Sequence, residues 1–365
     1  MKTLLLIDGN NLFHRAYHAL PPLTAKDGEN TNAVFGFSNM LIKAISEVKS
    51  DFIACAFDTR APTFRHVEFE NYKAQRVAPP PDLYPQLPKV KKVLGAYGIC
   101  VFEKEGYEAD DLLATIAKEF AGPVSRFHPA SARSKLKSNG DQQDNVDLRA
   151  VGSPPTTATR KPKTDFQVVI LSGDRDLLQM VGGNIKVQMP GWNLTSTTLF
   201  GAKEVLEKYG VTPEQMVDYK SLTGDPSDNI PGIAGIGPKN ASSLLQKYGT
   251  LENLFEHLDE VPESVRVKLQ AGKDNALAAK RLVKLDADVD IDLPAGKAGL
   301  RVKSLEFRPD WEKVRKEFAG LGFKSIIAKI PGDGNTSEVS DAEPKRTSEV
   351  GKGGKDSDKD QLTLI

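Results

Sequence analysis

Glu108-Ala109-Asp110-Asp111 sets three carboxylates within four residues, directly ahead of Leu112, Leu113, Ile116, Ala117 and Phe120. Those apolar positions share one helical stripe, so the sequence predicts an amphipathic helix with acids in its first turn. There the helix dipole and unpaired backbone N–H groups ease repulsion between the acids. Acids favour first turns for that reason alone, but here further acids recur in similar settings. Asp8 follows the apolar run TLLLI, Asp58 follows FIACAF, and Asp174 and Asp176 follow QVVIL. Asp225 and Asp228 stand three apart in the turn Gly224-Asp225-Pro226-Ser227-Asp228-Asn229. Clustered carboxylates need a cation, and an all-oxygen set suits Mg²⁺ or Mn²⁺ rather than zinc.

The elements that must position these acids alternate along the chain. Residues 3–7, 52–57, 99–102 and 167–171 read as four buried strands, and 33–48 and 85–97 as helices between them. That alternation implies a doubly wound parallel α/β sheet, which places its site at the carboxyl ends of the strands. Period-two spacing would set Asp174 and Asp176 on one side of an extended segment. Between 60 and 92 basic residues outnumber acids, with Phe64, Phe69, Tyr72 and Tyr84 among them, a mix suited to single-stranded nucleic acid. From 202 onward the pattern is helical. Pro231-Gly232-Ile233-Ala234-Gly235-Ile236-Gly237-Pro238-Lys239 joins two helices there, with Gly232, Gly235 and Gly237 offering backbone N–H groups to a phosphate and Lys239 reaching a second one. That is helix-hairpin-helix chemistry, which grips a duplex backbone without reading sequence. The segment DADVDIDL near 286–293 looks strand-like.

With 365 residues the chain has room for roughly two domains. Its boundaries fall at 1–200, 201–330 and a tail, 331–365, rich in Gly, Ser and charge. Residues 123–165, rich in Ser, Pro, Thr, Asn and Gln, read as a disordered insertion, and the tail reads the same way. Forty-nine basic and 49 acidic residues cancel, so any nucleic-acid binding rests on segregated charge. Cys55 and Cys100 lie in apolar runs and read as buried thiols in a reducing compartment. The apolar start is too short for a signal peptide and no run approaches a membrane span, so the expected location is cytoplasmic.

DGNN, FRHVEFENYKAQR, GYEADD, SGDRD and TGDPSDNIPGIAGIGPKNA occur in that order. The chain resembles the 5′-nuclease domain of bacterial DNA polymerase I and its flap endonuclease relatives over about 1–330, apart from the insertion. The resemblance implies a PIN-like α/β fold with a helical arch and a helix-hairpin-helix module, and two-metal hydrolysis of 5′ flaps and 5′ ends. It assigns Asp8, Asp58, Glu108, Asp110 and Asp111 to a first Mg²⁺ or Mn²⁺, and Asp174, Asp176, Asp225 and Asp228 to a second. Lys73 and Arg76 become catalytic groups at the base of the arch, alongside Asp110. Arg15 and Arg65 become phosphate contacts, and Tyr72 a stacking aromatic. It also implies a K⁺ ion at the hairpin and a nucleoid-associated bacterial protein. Its DNA partners would be 5′-flap, nicked or gapped duplexes, with a polymerase acting in trans. The end Gln361-Leu362-Thr363-Leu364-Ile365 is similar to a sliding-clamp hook, with Gln361, Leu362, Leu364 and Ile365 as its anchors. The rival readings are a non-catalytic DNA-junction binding module and a PIN-type ribonuclease.

Overall fold

Strand β1 (Lys2–Asp8) is buried from Leu4 to its end and lies at the centre of the sheet. The computed structural model describes residues 1–25, 28–121, 166–191, 196–291 and 304–331. Strands β2 (Phe52–Ala56) and β3 (Cys100–Phe102) extend the sheet on one side, β4 (Phe166–Leu171), β5 (Ile185–Pro190) and β6 (Thr197–Phe200) on the other. Their order is β3-β2-β1-β4-β5-β6, parallel except for β6, which runs antiparallel to β5. The sheet is therefore doubly wound, as expected. It carries two strands more than the four counted, because neither β5 nor β6 is a continuous apolar run.

The alternation of β1 decides its two faces. Leu4 and Leu6 join Ala54, Ile170 and the apolar stripe of helix α5 (Ala109–Ala121). Leu5 and Ile7 join helices α1 (Gly9–Ala19), α2 (Asn32–Val48) and α4 (Leu87–Ala96) on the other side, while the short helix α3 (Phe64–Glu68) follows β2. Burial on both faces explains why these strands show no polar alternation. The first apolar cluster continues without a break into the helical lobe, through Val205, Leu222, Leu245 and Leu269.

That lobe begins at Ala202–Tyr209 and includes helices Met216–Thr223, Pro238–Tyr248, Leu251–Glu256, Glu263–Ala271 and Lys273–Val283. DADVDIDL is not a strand through its described part, up to Ile291. The chain then returns to the sheet: Ile53 N–H donates to Leu305 O at 2.9 Å, and Phe307 N–H to Asp51 O at 2.8 Å. Helices Trp311–Gly320 and Lys324–Ile327 cover the outer face of α4, where Tyr97 meets Phe307, Trp311 and Phe318. A division at 201–330 thus assigns to the second lobe helices that pack on the first. The insertion expected at 123–165 and the clamp-like end at 361–365 lie outside the described residues. Among those described, no helix is long and apolar enough to cross a membrane.

Candidate metal centre

The winding reverses between β1 and β4, and the crevice at their carboxyl ends is where an open α/β sheet binds its ligand. Asp8 ends β1 and caps α1, its Oδ1 accepting from Asn11 N–H at 2.9 Å. Its other oxygen accepts from Ser172 Oγ at 2.5 Å, just past β4. Asn11 Oδ1 in turn accepts from Gly173 N–H at 2.8 Å, which ties the two strand ends together. Gly9 permits the tight exit from β1, since a Cβ there would fall 2.5 Å from the Phe57 ring.

Asp58, two residues beyond β2, caps α5 by accepting from Ala109 N–H at 2.7 Å, and its other oxygen accepts from Asn10 Nδ2. This capping delivers Asp110 into the crevice. Its Oδ1 is inaccessible to solvent and has no hydrogen-bond partner. Burial, then the charges of Asp8, Asp174, Asp58 and Glu108, push the Asp110 carboxyl well above the usual range. Asp8 is pushed up to about 7, mainly by burial, with Ser172 and Asn11 pulling the other way.

Glu108, Asp228, Asp176 and Asp225 are answered by cations. Glu108 accepts from Lys73 Nζ at 2.6 Å and from the Tyr72 hydroxyl at 3.0 Å. Asp228 accepts from Arg76 at 2.7 Å and from the same hydroxyl at 3.1 Å. Lys220 Nζ donates to Asp176 and, at 2.6 Å, to Asp225. Among the described residues no three Asp, Glu, His or Cys side chains converge tightly enough to form a ready coordination group. The donors nonetheless suit a hard divalent ion. They are all oxygen, one oxygen is buried without a partner, and burial together with neighbouring negative charge raises the pKa values of Asp8 and Asp110.

Several sequence expectations need correction. Asp111 is fully buried and accepts from Arg65 through both oxygens, at 2.7 and 2.8 Å. It also accepts from the N–H groups of Glu108 and Asp286, at 3.1 and 2.9 Å. It faces away from the crevice, as an acid one residue on from Asp110 must on a helix, and its oxygens are taken. Arg65 is 1% exposed, with Nε on Leu282 O and Nη2 also near Lys284 O, so it offers nothing to a phosphate. Tyr72 is buried, with its hydroxyl between two acids, and presents no face for stacking. Asp174 and Asp176 do not share an extended segment. Asp176 opens the 3₁₀ turn Asp176–Met180, and its N–H donates to Asp174 Oδ1 at 2.8 Å. Cys100 is only half-buried, its thiol donating to Ser304 O at 3.0 Å.

In the hairpin, Gly232 serves packing. A Cβ there would lie 2.3 Å from Gly224 N and 2.7 Å from Leu222 O. Gly235 needs its freedom for a φ of 79°, and its carbonyl accepts from Lys268 at 3.5 Å. Gly237 caps helix Pro238–Tyr248 with open space around it, and Lys239 stands exposed on the first turn. Arg15 is half-buried on α1, its Nε without a hydrogen-bond partner. Sequence reasoning missed Ser172, Asn10, Asn11 and Lys220. The first three lie beside acids in motifs already singled out, whereas Lys220 has no signal beyond its place five residues before Asp225.

A doubly wound sheet with acids at its switch point, followed by a helical lobe with a glycine hairpin, defines a PIN-like α/β nuclease fold. Family models described as the 5′-3′ exonuclease N-terminal resolvase-like domain and C-terminal SAM fold match residues 3–127 and 211–306. The chain belongs to the 5′-3′ exonuclease family. It is 32% identical over 330 residues to the 5′-3′ exonuclease of Aquifex aeolicus, covering 90% of this chain and 96% of that protein. It is 37% identical over 332 residues to the DNA polymerase I of Caldicellulosiruptor bescii, covering 90% of this chain and 33% of the polymerase. The chain thus spans about a third of the length of that relative. Among solved structures, the T5 D15 protein co-crystallised with metal ions aligns with a TM-score of 0.56 at 17% identity, covering 90% of this chain and 99% of that one. The catalytic core of Rad2 in complex with DNA substrate aligns with a TM-score of 0.52 at 14% identity, covering 90% and 91%. These two likenesses concern the fold alone.

Proposed function

We propose that this chain is a structure-selective 5′-nuclease that hydrolyses phosphodiesters at 5′ flaps and 5′ ends of DNA with two Mg²⁺ ions, Mn²⁺ substituting. The observation that carries the reading is the uncompensated cluster of Asp8, Asp58, Asp110 and Asp174 at the switch point, with Asp110 Oδ1 unpartnered. When bound there, divalent ions supply Lewis-acid polarisation of the scissile phosphate and acidify water. Asp8 and Asp110 would hold the first ion, with Asp58 and Glu108 around it, while Asp174, Asp176, Asp225 and Asp228 would hold the second.

The chain's own groups do the rest. Lys73 and Arg76 hold positive charge over Glu108 and Asp228, and would turn it to the phosphate as the transition state gathers negative charge. Lys73 is held at a φ of 56°, and its N–H donates to Asp228 O at 3.0 Å, so the arch segment rests on the acids rather than standing clear. Arg15, Lys239 and the N–H groups of Gly235 and Gly237 would hold phosphates away from the cut. A K⁺ ion at the hairpin would share the Gly235 carbonyl with Lys268. The T5 D15 flap endonuclease, in a pseudo-enzyme-product complex with DNA and metal ions, shares this fold and supports the substrate class. A polymerase partner fits the fusion seen in DNA polymerase I relatives.

The test is cleavage of a 5′-labelled flap duplex with Mg²⁺, with Mn²⁺ and with EDTA, beside Asp110→Asn. Metal-dependent cutting near the junction, lost in the variant while duplex binding persists, is the expected result. An intact flap under every metal condition overturns the reading and leaves the junction-binding alternative.

A further inference from the structure

The acids of the crevice divide into two electrostatic halves. Among the described residues no basic side chain pairs with Asp8, Asp58, Asp110 or Asp174, and the raised pKa of Asp110 arises from burial and neighbouring acids. Around Asp176 and Asp225 a basic side chain closes on both carboxylates, although burial still pushes Asp176 up to about 7. Lys220, 9% exposed on helix Met216–Thr223, places its ammonium between the two carboxylates, touching Asp176 and lying 2.6 Å from Asp225. The helix fixes that position, since Ser221 is fully buried beside it and Gly224 N–H donates back to Lys220 O at 2.7 Å. Asp225 is itself locked, its other oxygen accepting from Ser227 N–H and Oγ. The lysine thus stands where two acids assigned to the second ion would share a cation.

We infer that Lys220 is a built-in counter-cation for this half of the crevice, which a second divalent ion must displace in order to bind. The inference rests on the nuclease reading above and deepens it. It makes Lys220 a positioning residue that keeps Asp176 and Asp225 together and sets the two metal affinities apart. One unit charge held between two carboxylates opposes a dication at the same place by far more than thermal energy, even at an effective dielectric near 20. Occupancy of the first site is then cheap and occupancy of the second conditional, with substrate phosphate supplying the missing incentive.

Mn²⁺ titration of the DNA-free protein, followed by loss of the free-ion EPR signal, reads both affinities without turnover. The parent should show a tight and a weak class of site. Lys220→Met, of similar shape without charge, should tighten the weak class by at least about tenfold and leave the tight class unchanged. Lys220→Arg should keep the weak class weak. In EDTA, Lys220→Met should melt below the parent, and Mn²⁺ should restore it, because it leaves two close acids unanswered. A second measurement needs no variant. In the parent, the ¹⁵Nζ resonance of Lys220 should stay still while the first Mg²⁺ equivalent binds and move as the second does. An unchanged or weakened second class in Lys220→Met, or an Nζ resonance indifferent to saturating Mg²⁺, overturns the inference. Flap cleavage is scored separately. Metal binding as described with no cutting would sink the nuclease reading alone, and cutting with an unaltered weak class would sink the role of Lys220 alone.

Discussion

Asp111→Asn separates a metal ligand from a buried ion pair more sharply than any other substitution in the acidic segment. Asp111 is fully buried and receives two guanidinium and two backbone N–H donors, all within 3.1 Å. Asparagine keeps the shape, removes the charge, and leaves Arg65 charged and 1% exposed. Breaking a buried pair from one side costs about 3–5 kcal/mol, because the remaining charge stays desolvated. That is a large share of the roughly 5–15 kcal/mol by which native proteins are stable. The melting temperature should fall by on the order of 10 °C, and the urea midpoint should move with it. Below its melting temperature the variant should bind Mn²⁺ much as the parent does, because Asp111 does not face the crevice. Replacing both partners, Arg65→Met with Asp111→Leu, should recover only part of the loss, since the N–H groups of Glu108 and Asp286 then lose their acceptor. An Asp111→Asn protein with unchanged melting but lost Mn²⁺ binding would refute this reasoning and restore Asp111 as a ligand.

Gly232→Ala should destabilise the hairpin, because its new Cβ would overlap backbone atoms of Leu222, Thr223 and Gly224 rather than a movable side chain, and thermal melting checks this. Lys73→Ala should lower the single-turnover cleavage rate with little change in duplex affinity. Lys239→Ala should weaken duplex binding and reduce its salt slope by about one unit. Asp8, pushed up to about 7, and Asp110 bind protons more readily folded than unfolded. In EDTA the contribution of Asp8 is therefore full below about pH 4 and lost as pH rises through about 7, and that of Asp110 runs in the same direction. Mg²⁺ should accordingly raise the melting temperature more at pH 8 than at pH 5, and Asp110→Asn should flatten that difference.

The sheet was legible because burial on both faces makes β1, β2 and β4 continuous apolar runs, each delivering an acid at the same edge. Strands β5 and β6 were not, because Lys186, Gln188 and the threonines of TTLF break the apolar pattern at the sheet's end. The acids that cluster were readable as types at intervals, but the direction each one faces was not. Helical geometry turns Asp110 and Asp111 to different sides, and only the position of Arg65 shows which of them is already satisfied. Lys220 was hidden for a related reason. A lysine on a helix reads as solvated, and nothing local announces that two carboxylates, one of them 44 residues away, close around it.

The pair of helices at 311–330 has a consequence for how the protein is made. Val314, Phe318, Phe323 and Ile326 complete the same apolar cluster as Phe37, Leu94 and Tyr97. A nascent chain that has delivered every strand of the sheet still lacks this cover, and one side of α4 stays exposed until more than a hundred further residues have emerged. Synthesis at about 5–20 residues per second leaves that surface open for seconds, long enough for a holding chaperone to find it. The helical lobe is thus spliced between a sheet and its own lid, and the nuclease lobe closes only after the helical lobe has been made.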